Sequence, residues 1–280
     1  MRSSISLGEI TAPILVFGGP YSNLAATKAI QAEAERLTIP PERVICTGDV
    51  VAYCADPVAT TDLIRAWGIS LVMGNCEESL AENSPDCGCG FEEGSSCSLL
   101  SVGWYNYANQ VVTLSQRRWM SELPRNLSFS LNGLKFLVIH GGVERINEFI
   151  FRSTSDEVKV QQLEKSGVDV IIGGHCGIPF GQALRNGHWL NAGVIGMPAN
   201  DATPDGWYML LSPARGHVEV TWHRLRYSAT HSRQLMLKAG LNKEYADALT
   251  TGLWPSTDVL PDSEKESTAQ TIVLQGYDIS

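Results

Sequence analysis

No stretch of this chain approaches the roughly 18 consecutive apolar residues that a membrane-spanning helix needs, so no membrane span is predicted. Positive charge is also scarce: 21 Lys and Arg face 30 Asp and Glu, a net charge of −9. Without a basic stripe to offset it, a nucleic-acid backbone is excluded as the main partner. No G-x-G-x-x-G follows a predicted strand and there is no Walker A loop, which removes the usual dinucleotide and nucleotide cradles. Near the N-terminus one Arg and a short apolar run, Ala12 to Phe17, fall short of a signal peptide. These absences lead us to expect a cytoplasmic, reduced protein.

What is present is an ordinary globular balance: 280 residues, 44% hydrophobic and 18% charged, enough for a sizeable core. Apolar runs over 13–17, 43–46 and 69–73 read as buried strands. Between them, helical spacing over 24–37, capped by Asn23, and over 57–67, with Pro57 in the first turn, predicts two helices. Strand alternating with helix implies a parallel α/β sheet. Asn132-Gly133 between apolar segments 126–131 and 135–139 is a hairpin signal. A helix over 155–166, a strand over 169–172 and strands over 206–211 and 217–224 follow, the last two suited to a second sheet. Residues 83–98 form a Gly-, Ser- and Cys-rich loop. We therefore expect one domain over 1–255 and a polar tail over 256–280.

Four Gly-flanked turns carry good metal ligands: Gly48-Asp49, Gly74-Asn75-Cys76-Glu77, His140-Gly141-Gly142 and Gly173-Gly174-His175. Asp49 and Asn75 follow predicted strands, and ligands bind outside the carboxyl ends of strands in such sheets. A carboxylate after a buried strand must be paired. His140 and His175, each alone, read equally as hydrogen-bonded core histidines, and Asn75 as a turn former. The seven cysteines, Cys46, Cys54, Cys76, Cys87, Cys89, Cys97 and Cys176, suggest buried thiols, ligands or redox chemistry. Cys87, Cys89 and Cys97 lack the spacing of a zinc ribbon.

In order and spacing these motifs resemble the calcineurin-like metallophosphoesterase superfamily, in particular its small prokaryotic, YfcE-like branch. Gly48-Asp49-Val50-Val51-Ala52-Tyr53 is similar to that branch's Gly-Asp-x-x-x-Tyr, and Asn191-Ala192-Gly193-Val194-Ile195-Gly196 to its late Asn-Pro-Gly-Ser-Val-Gly turn. The resemblance spans about residues 12–225. It implies an α/β/β/α four-layer sandwich of two mixed sheets. In that family two ions about 3.5–4 Å apart polarise the phosphoryl oxygens and activate a bridging hydroxide.

By the resemblance, Asp49, Asn75, His140 and His175 are metal ligands, and Asp49, Asn75, Cys76 and His140 the catalytic positions. Mixed N/O donors suit Mn, Fe, Zn or Ni, one or two ions. Cys76 stands where many relatives place His beside the phosphate, and Glu77 orients the turn. Arg145 is a candidate phosphate contact or a solvated surface residue. The departures fall together: the family's Asp-x-His reads Gly19 and Tyr21, and the second His of its Gly-His-x-His is Gly177. These are the private ligands of one ion. Tyr21 would then reach into the vacated position as a hydrogen-bond donor, and Cys54, Cys76, Cys87, Cys89, Cys97 or Cys176 would replace lost ligands with thiolates. The leading expectation is a metal-dependent phosphoesterase acting on a small phosphorylated substrate, with one metal site altered. Its rivals are a non-catalytic phosphate-ligand binding or regulatory protein and, more remotely, a thiol-containing metal site. The branch also implies a homo-oligomer joined through sheet or helix faces.

Overall fold

Short strands buried along their whole length, Ile14–Phe17, Val44–Cys46 and Val170–Gly173, build the centre of the molecule. The computed structural model describes residues 4–280. In chain order the elements are β1 (Ser4–Ile10), β2 (Ile14–Phe17), α1 (Leu24–Arg36), β3 (Val44–Cys46), α2 (Pro57–Trp67), β4 (Ser70–Leu71), α3 (Asn75–Glu82), α4 (Ser96–Val111), α5 (Leu114–Ser121), β5 (Asn126–Leu131), β6 (Leu134–Ile139) and α6 (Asp156–Ser166). Then come β7 (Val170–Gly173), β8 (Phe180–Leu184), β9 (Gly187–Asn191), β10 (Gly206–Ala214), β11 (His217–Leu225), α7 (Ala229–Lys238), α8 (Lys243–Thr251), α9 (Asp262–Glu266) and β12 (Tyr277–Ile279). No helix among the described residues is long and apolar enough to cross a membrane.

The strands form two six-stranded sheets, β1-β5-β6-β7-β9-β8 and β12-β11-β10-β2-β3-β4. Both are mixed. In the first, β6, β7 and β9 run parallel, β8 opposes β9, and β5 opposes β6 while pairing parallel with β1; in the second, β2, β3 and β4 run parallel while β10, β11 and β12 are antiparallel. Because side chains alternate along a strand, each sheet has two apolar faces. Ile14, Val16 and Ile45 meet Phe136, Val138, Val170 and Ile172 in the layer between the sheets. Leu15, Phe17 and Val44 point outward, under Ala26 and Ile30 of α1 and Ile64 of α2. Ile139 and Ile171 point the other way, toward Leu163 of α6 and Phe151. Helices therefore cover both outer faces, giving the α/β/β/α sandwich that the sequence resemblance implied.

Two segments differ from the sequence reading. Residues 256–280 are no loose tail: Leu260 and Ile279 are buried, and β12 pairs antiparallel with β11. Their polar composition hides single apolar anchors. Strand β1, mostly exposed, went unrecognised; it is held by its parallel ladder to β5, with Leu7 and Ile10 partly buried against the core between the sheets.

Asn23 caps α1 as predicted and also joins three elements. Its Oδ1 accepts from the N–H of Ala26 (3.2 Å) and the hydroxyl of Ser232 in α7 (2.8 Å), while its Nδ2 donates to the carbonyl of Gly196 (3.0 Å). Substitution Asn23→Ala is expected to cost about 1–2 kcal/mol, the cap plus orphaned buried partners. Urea unfolding is the check, and an unchanged midpoint would contradict this.

Candidate metal centre

Four strands of the two sheets deliver their carboxyl ends to one place. Asp49 follows β3, Asn75 opens α3 just beyond β4, His140 follows β6 and His175 follows β7. Gly18, after β2, bridges Val194, after β9, and so ties the two sheets together here. Within each sheet the strand ends are linked as well: the N–H of Gly19 donates to the carbonyl of Gly48 (3.1 Å), and that of Gly174 to the carbonyl of His140 (2.6 Å). Gly74 lets the turns close up, because a Cβ there would lie 2.2 Å from Asp49 Oδ1. Asp49 and His175 adopt left-handed backbone conformations, φ 56° and 61°. Such strain in non-glycine residues persists only where the surroundings over-determine it.

Three side-chain atoms converge on His140 Nε2: Asn75 Oδ1 at 3.0 Å, His175 Nδ1 at 3.1 Å and Asp49 Oδ2 at 3.2 Å. Asp49, Asn75, His140 and His175 are all buried. His140 Nδ1 lies 2.6 Å from the carbonyl of Thr47, which can only accept, so Nδ1 carries the proton and neutral His140 presents a lone pair at Nε2. Asn75 donates its Nδ2 to the carbonyl of Cys87 (2.9 Å), which turns Oδ1 inward. The Nε2 of His175 is buried without a hydrogen-bond partner and the ring packs on Phe149, centroids 4.1 Å apart. Acceptor atoms gathered in a buried space suit a cation. Asp49, His140 and His175 offer donor atoms within 4.8 Å of one another, and with Asn75 they fit a divalent transition metal bound through mixed N and O donors.

Behind the ligands, Glu77 is fully buried and accepts from the N–H groups of Asp49 (2.8 Å), Gly74 (3.0 Å) and Val51 (3.2 Å). It locks both ligand turns, as the sequence reading assigned. Burial and the neighbouring Asp49 charge push its carboxyl up to about 7. Burial works against the charge on Asp49, yet His140 holds its carboxyl below the usual value. Burial alone would lower His140, but Asp49 raises it above 6.5. Burial and the charge of His140 press His175 down to about 3.

Without an ion, a proton on His140 Nε2 thus sits among the acceptors. It stabilises the metal-free fold below pH 6.5, and this contribution is lost as pH rises through the raised folded pKa. A metal must displace that proton. Its affinity is expected to climb about tenfold per pH unit until pH passes the His140 pKa, then level off. Calorimetric titration across pH measures this; a flat profile through the acid range would contradict it.

Side chains crowd Gly19, one of the positions that the sequence resemblance assigns to a second ion. A Cβ at Gly19 would lie 2.6 Å from Tyr21 Cζ and 2.7 Å from Val194 Cγ1, so the Tyr21 ring occupies the space of a residue-19 side chain. Tyr21 packs edge-on against Tyr53, centroids 4.9 Å apart. A Cβ at Gly177 would touch Trp254 at 3.4 Å.

Two cavities flank the ligands. Asp49 and His175 floor a chamber of about 70 Å³ walled by Tyr21, Tyr53, Phe149 and Trp254. Asn75 and His140 border an open polar groove of about 640 Å³, with Arg125, Arg145 and Asn147 along it.

No cysteine sulfur joins the ligand cluster among the described residues. Cys87 and Cys89 are bonded to each other as a disulfide, contrary to the expectation of free thiolates and a wholly reduced chain. Cys54 points at the carbonyl of Gly196 and Cys176 at Ile178 and Asn191. Cys97 lines the chamber wall. Cys76 is buried in the helix-covered core, where burial first and then Asp49 push its thiol well above the usual range. Arg145 is 71% exposed and ion-paired to Glu148 at 2.8 Å, at the groove rather than on the ligands. Sequence reasoning missed Thr47, which acts through a backbone carbonyl, and Trp254, which lies in the segment next to the supposed tail.

The profile of the calcineurin-like phosphoesterase superfamily domain matches residues 22–215. The chain belongs to that superfamily. A curated relative, the uncharacterised protein MJ0912 of Methanocaldococcus jannaschii, is 25% identical over 257 residues, covering 85% of this chain and 98% of the relative. In fold the superfamily member resembles the crystal structure of hypothetical protein PH1004 from Pyrococcus horikoshii (TM-score 0.73, 14% identity, 86% of this chain and 99% of that one). It also resembles a metallophosphoesterase from Sphaerobacter thermophilus (TM-score 0.67, 19% identity, 87% and 100%).

Proposed function

We propose that the chain is a metal-dependent phosphoesterase working with a single ion held by Asp49, Asn75, His140 and His175. The observation that carries this reading is the convergence of Asn75 Oδ1, His175 Nδ1 and Asp49 Oδ2 on His140 Nε2 within 3.2 Å. An ion held there supplies a Lewis acid for a phosphoryl oxygen and lowers the pKa of water. The protein's own groups do the rest. Thr47 and Glu77 fix the orientation of ligand rings and turns, as outer partners do in metal sites. The aromatic wall of Tyr21, Tyr53 and Phe149 puts apolar surface beside the ion, which strengthens charge interactions there.

A second reading has its own support. With the Tyr21 ring in the place of the second ion's ligands, attacking and leaving oxygens are not clamped together. In that case a phosphate ligand binds and is not hydrolysed.

One experiment separates the readings. Purified protein is loaded with Mn, Fe, Zn or Ni, its metal content measured, and turnover of para-nitrophenyl phosphate and bis(para-nitrophenyl) phosphate followed. About one equivalent of metal with metal-dependent turnover supports the esterase. Metal and phosphate binding without turnover favours the second reading, and absence of both sinks the pair.

A further inference from the structure

The chamber beside the ligands has features that a general phosphate site lacks. Its lining contains no Lys or Arg among the described residues; the rings of Tyr21, Tyr53, Phe149, Tyr245 and Trp254 dominate, with Val259 closing one side. Its only carboxylate and imidazole are Asp49 and His175, on the floor. The polar groove lies on the side of the other two ligands, Asn75 and His140.

Charge limits what can sit here. Against the net charge of zero to plus one left by one divalent ion, Asp49 and Glu77, a dianionic phosphomonoester brings one more unit of uncompensated charge into a ring-lined space than a phosphodiester monoanion does, which is unfavourable. Volume limits it further. About 70 Å³ is less than half of the about 150 Å³ cavity that admits benzene. A methyl or ethyl group fits, whereas a nucleoside or sugar does not.

Resting on the phosphoesterase reading, we infer that the substrate is a phosphodiester monoanion with one short alkyl ester arm, seated in the chamber walled by Tyr21, Tyr53 and Trp254. Its larger, polar arm lies toward the groove bordered by Asn75 and His140. Hydrolysis adds one water. The water oxygen bonds to phosphorus, the bond from phosphorus to the leaving ester oxygen breaks, and that oxygen departs as the alcohol with one proton. The other proton stays on the phosphate product.

The test uses the Mn-loaded full chain. The kcat/KM for methyl para-nitrophenyl phosphate is compared with those for para-nitrophenyl phosphate and the para-nitrophenyl ester of thymidine 5′-phosphate. An advantage of about tenfold or more is expected for the methyl diester, the scale set by small groups in apolar pockets. Preference for the monoester or the nucleotide ester overturns the inference. Trp254→Ala enlarges the chamber, and the ratio for benzyl over methyl diesters is expected to rise about tenfold. Val259→Ala, a smaller change, tests the same wall if the first variant folds poorly; an unmoved ratio in folded variants also overturns it. If no ester is turned over, the phosphoesterase reading fails separately. Calorimetry of dimethyl phosphate against inorganic phosphate on the Mn-loaded protein then decides: tighter dimethyl phosphate supports the chamber assignment and tighter inorganic phosphate refutes it.

Discussion

Replacing His140 with alanine is expected to abolish stoichiometric metal binding. Its Nε2 is the point on which the other three donors converge, so no rearrangement of Asp49, Asn75 and His175 restores a fourth donor. The loss of affinity should exceed the about 100-fold ceiling for removing outer-shell partners, and metal-dependent activity should fall with it. A structural signature accompanies the chemical one. Asp49, 4% exposed, loses its imidazole partner, and breaking a buried pair costs about 3–5 kcal/mol. The metal-free variant should therefore melt below the metal-free parent. Elemental analysis, calorimetry and a thermal scan read these effects. A variant that keeps one equivalent of metal would show that the ion is held elsewhere.

The second large effect concerns Gly19 and the Tyr21 ring packed over it. Gly19→Asp alone should destabilise the fold. The backbone there has φ +39°, and the new Cβ would collide with Tyr21 Cζ and Val194 Cγ1. Overpacking together with a left-handed non-glycine residue costs about 2–4 kcal/mol. The triple variant Gly19→Asp, Tyr21→His, Gly177→His removes the ring from the clash, leaving only the Val194 methyl to shift, and supplies the donors that the sequence resemblance expects at these positions. Its metal content is expected to rise from one equivalent to two. If the single variant were tolerated while the triple stayed at one, the Tyr21 ring would not be what closes the second position.

The sheets and the four residues of the candidate centre were legible because both rest on short-range rules. Ile14 to Phe17 and Val170 to Ile172 are fully buried apolar runs, and Asp49, Asn75, His140 and His175 each follow a strand and sit beside glycine. What was illegible depends on distant partners. Tyr21 reads as a lost ligand, but only folding shows its ring taking up the room above Gly19. Strand β12 has three residues and one buried side chain, Ile279, too little for any periodicity. The sulfurs of Cys87 and Cys89 meet in a loop whose spacing fits no recognised metal pattern. Trp254 becomes a chamber wall through the hydrogen bond of its Nε1 to the carbonyl of Pro198 (2.7 Å), a contact between segments 56 residues apart.

The left-handed backbone at Asp49 and His175 has a practical consequence for anyone engineering this chain. Glycine adopts that conformation without steric penalty, and side-chain residues there give up roughly 1 kcal/mol each. At Asp49 that gain is smaller than the about 3–5 kcal/mol lost with its buried pair to His140, so selection for heat resistance keeps the aspartate even in a chelating buffer. Screening with metal in the medium adds to that selection, because the ion contributes its binding free energy only to clones that still hold it.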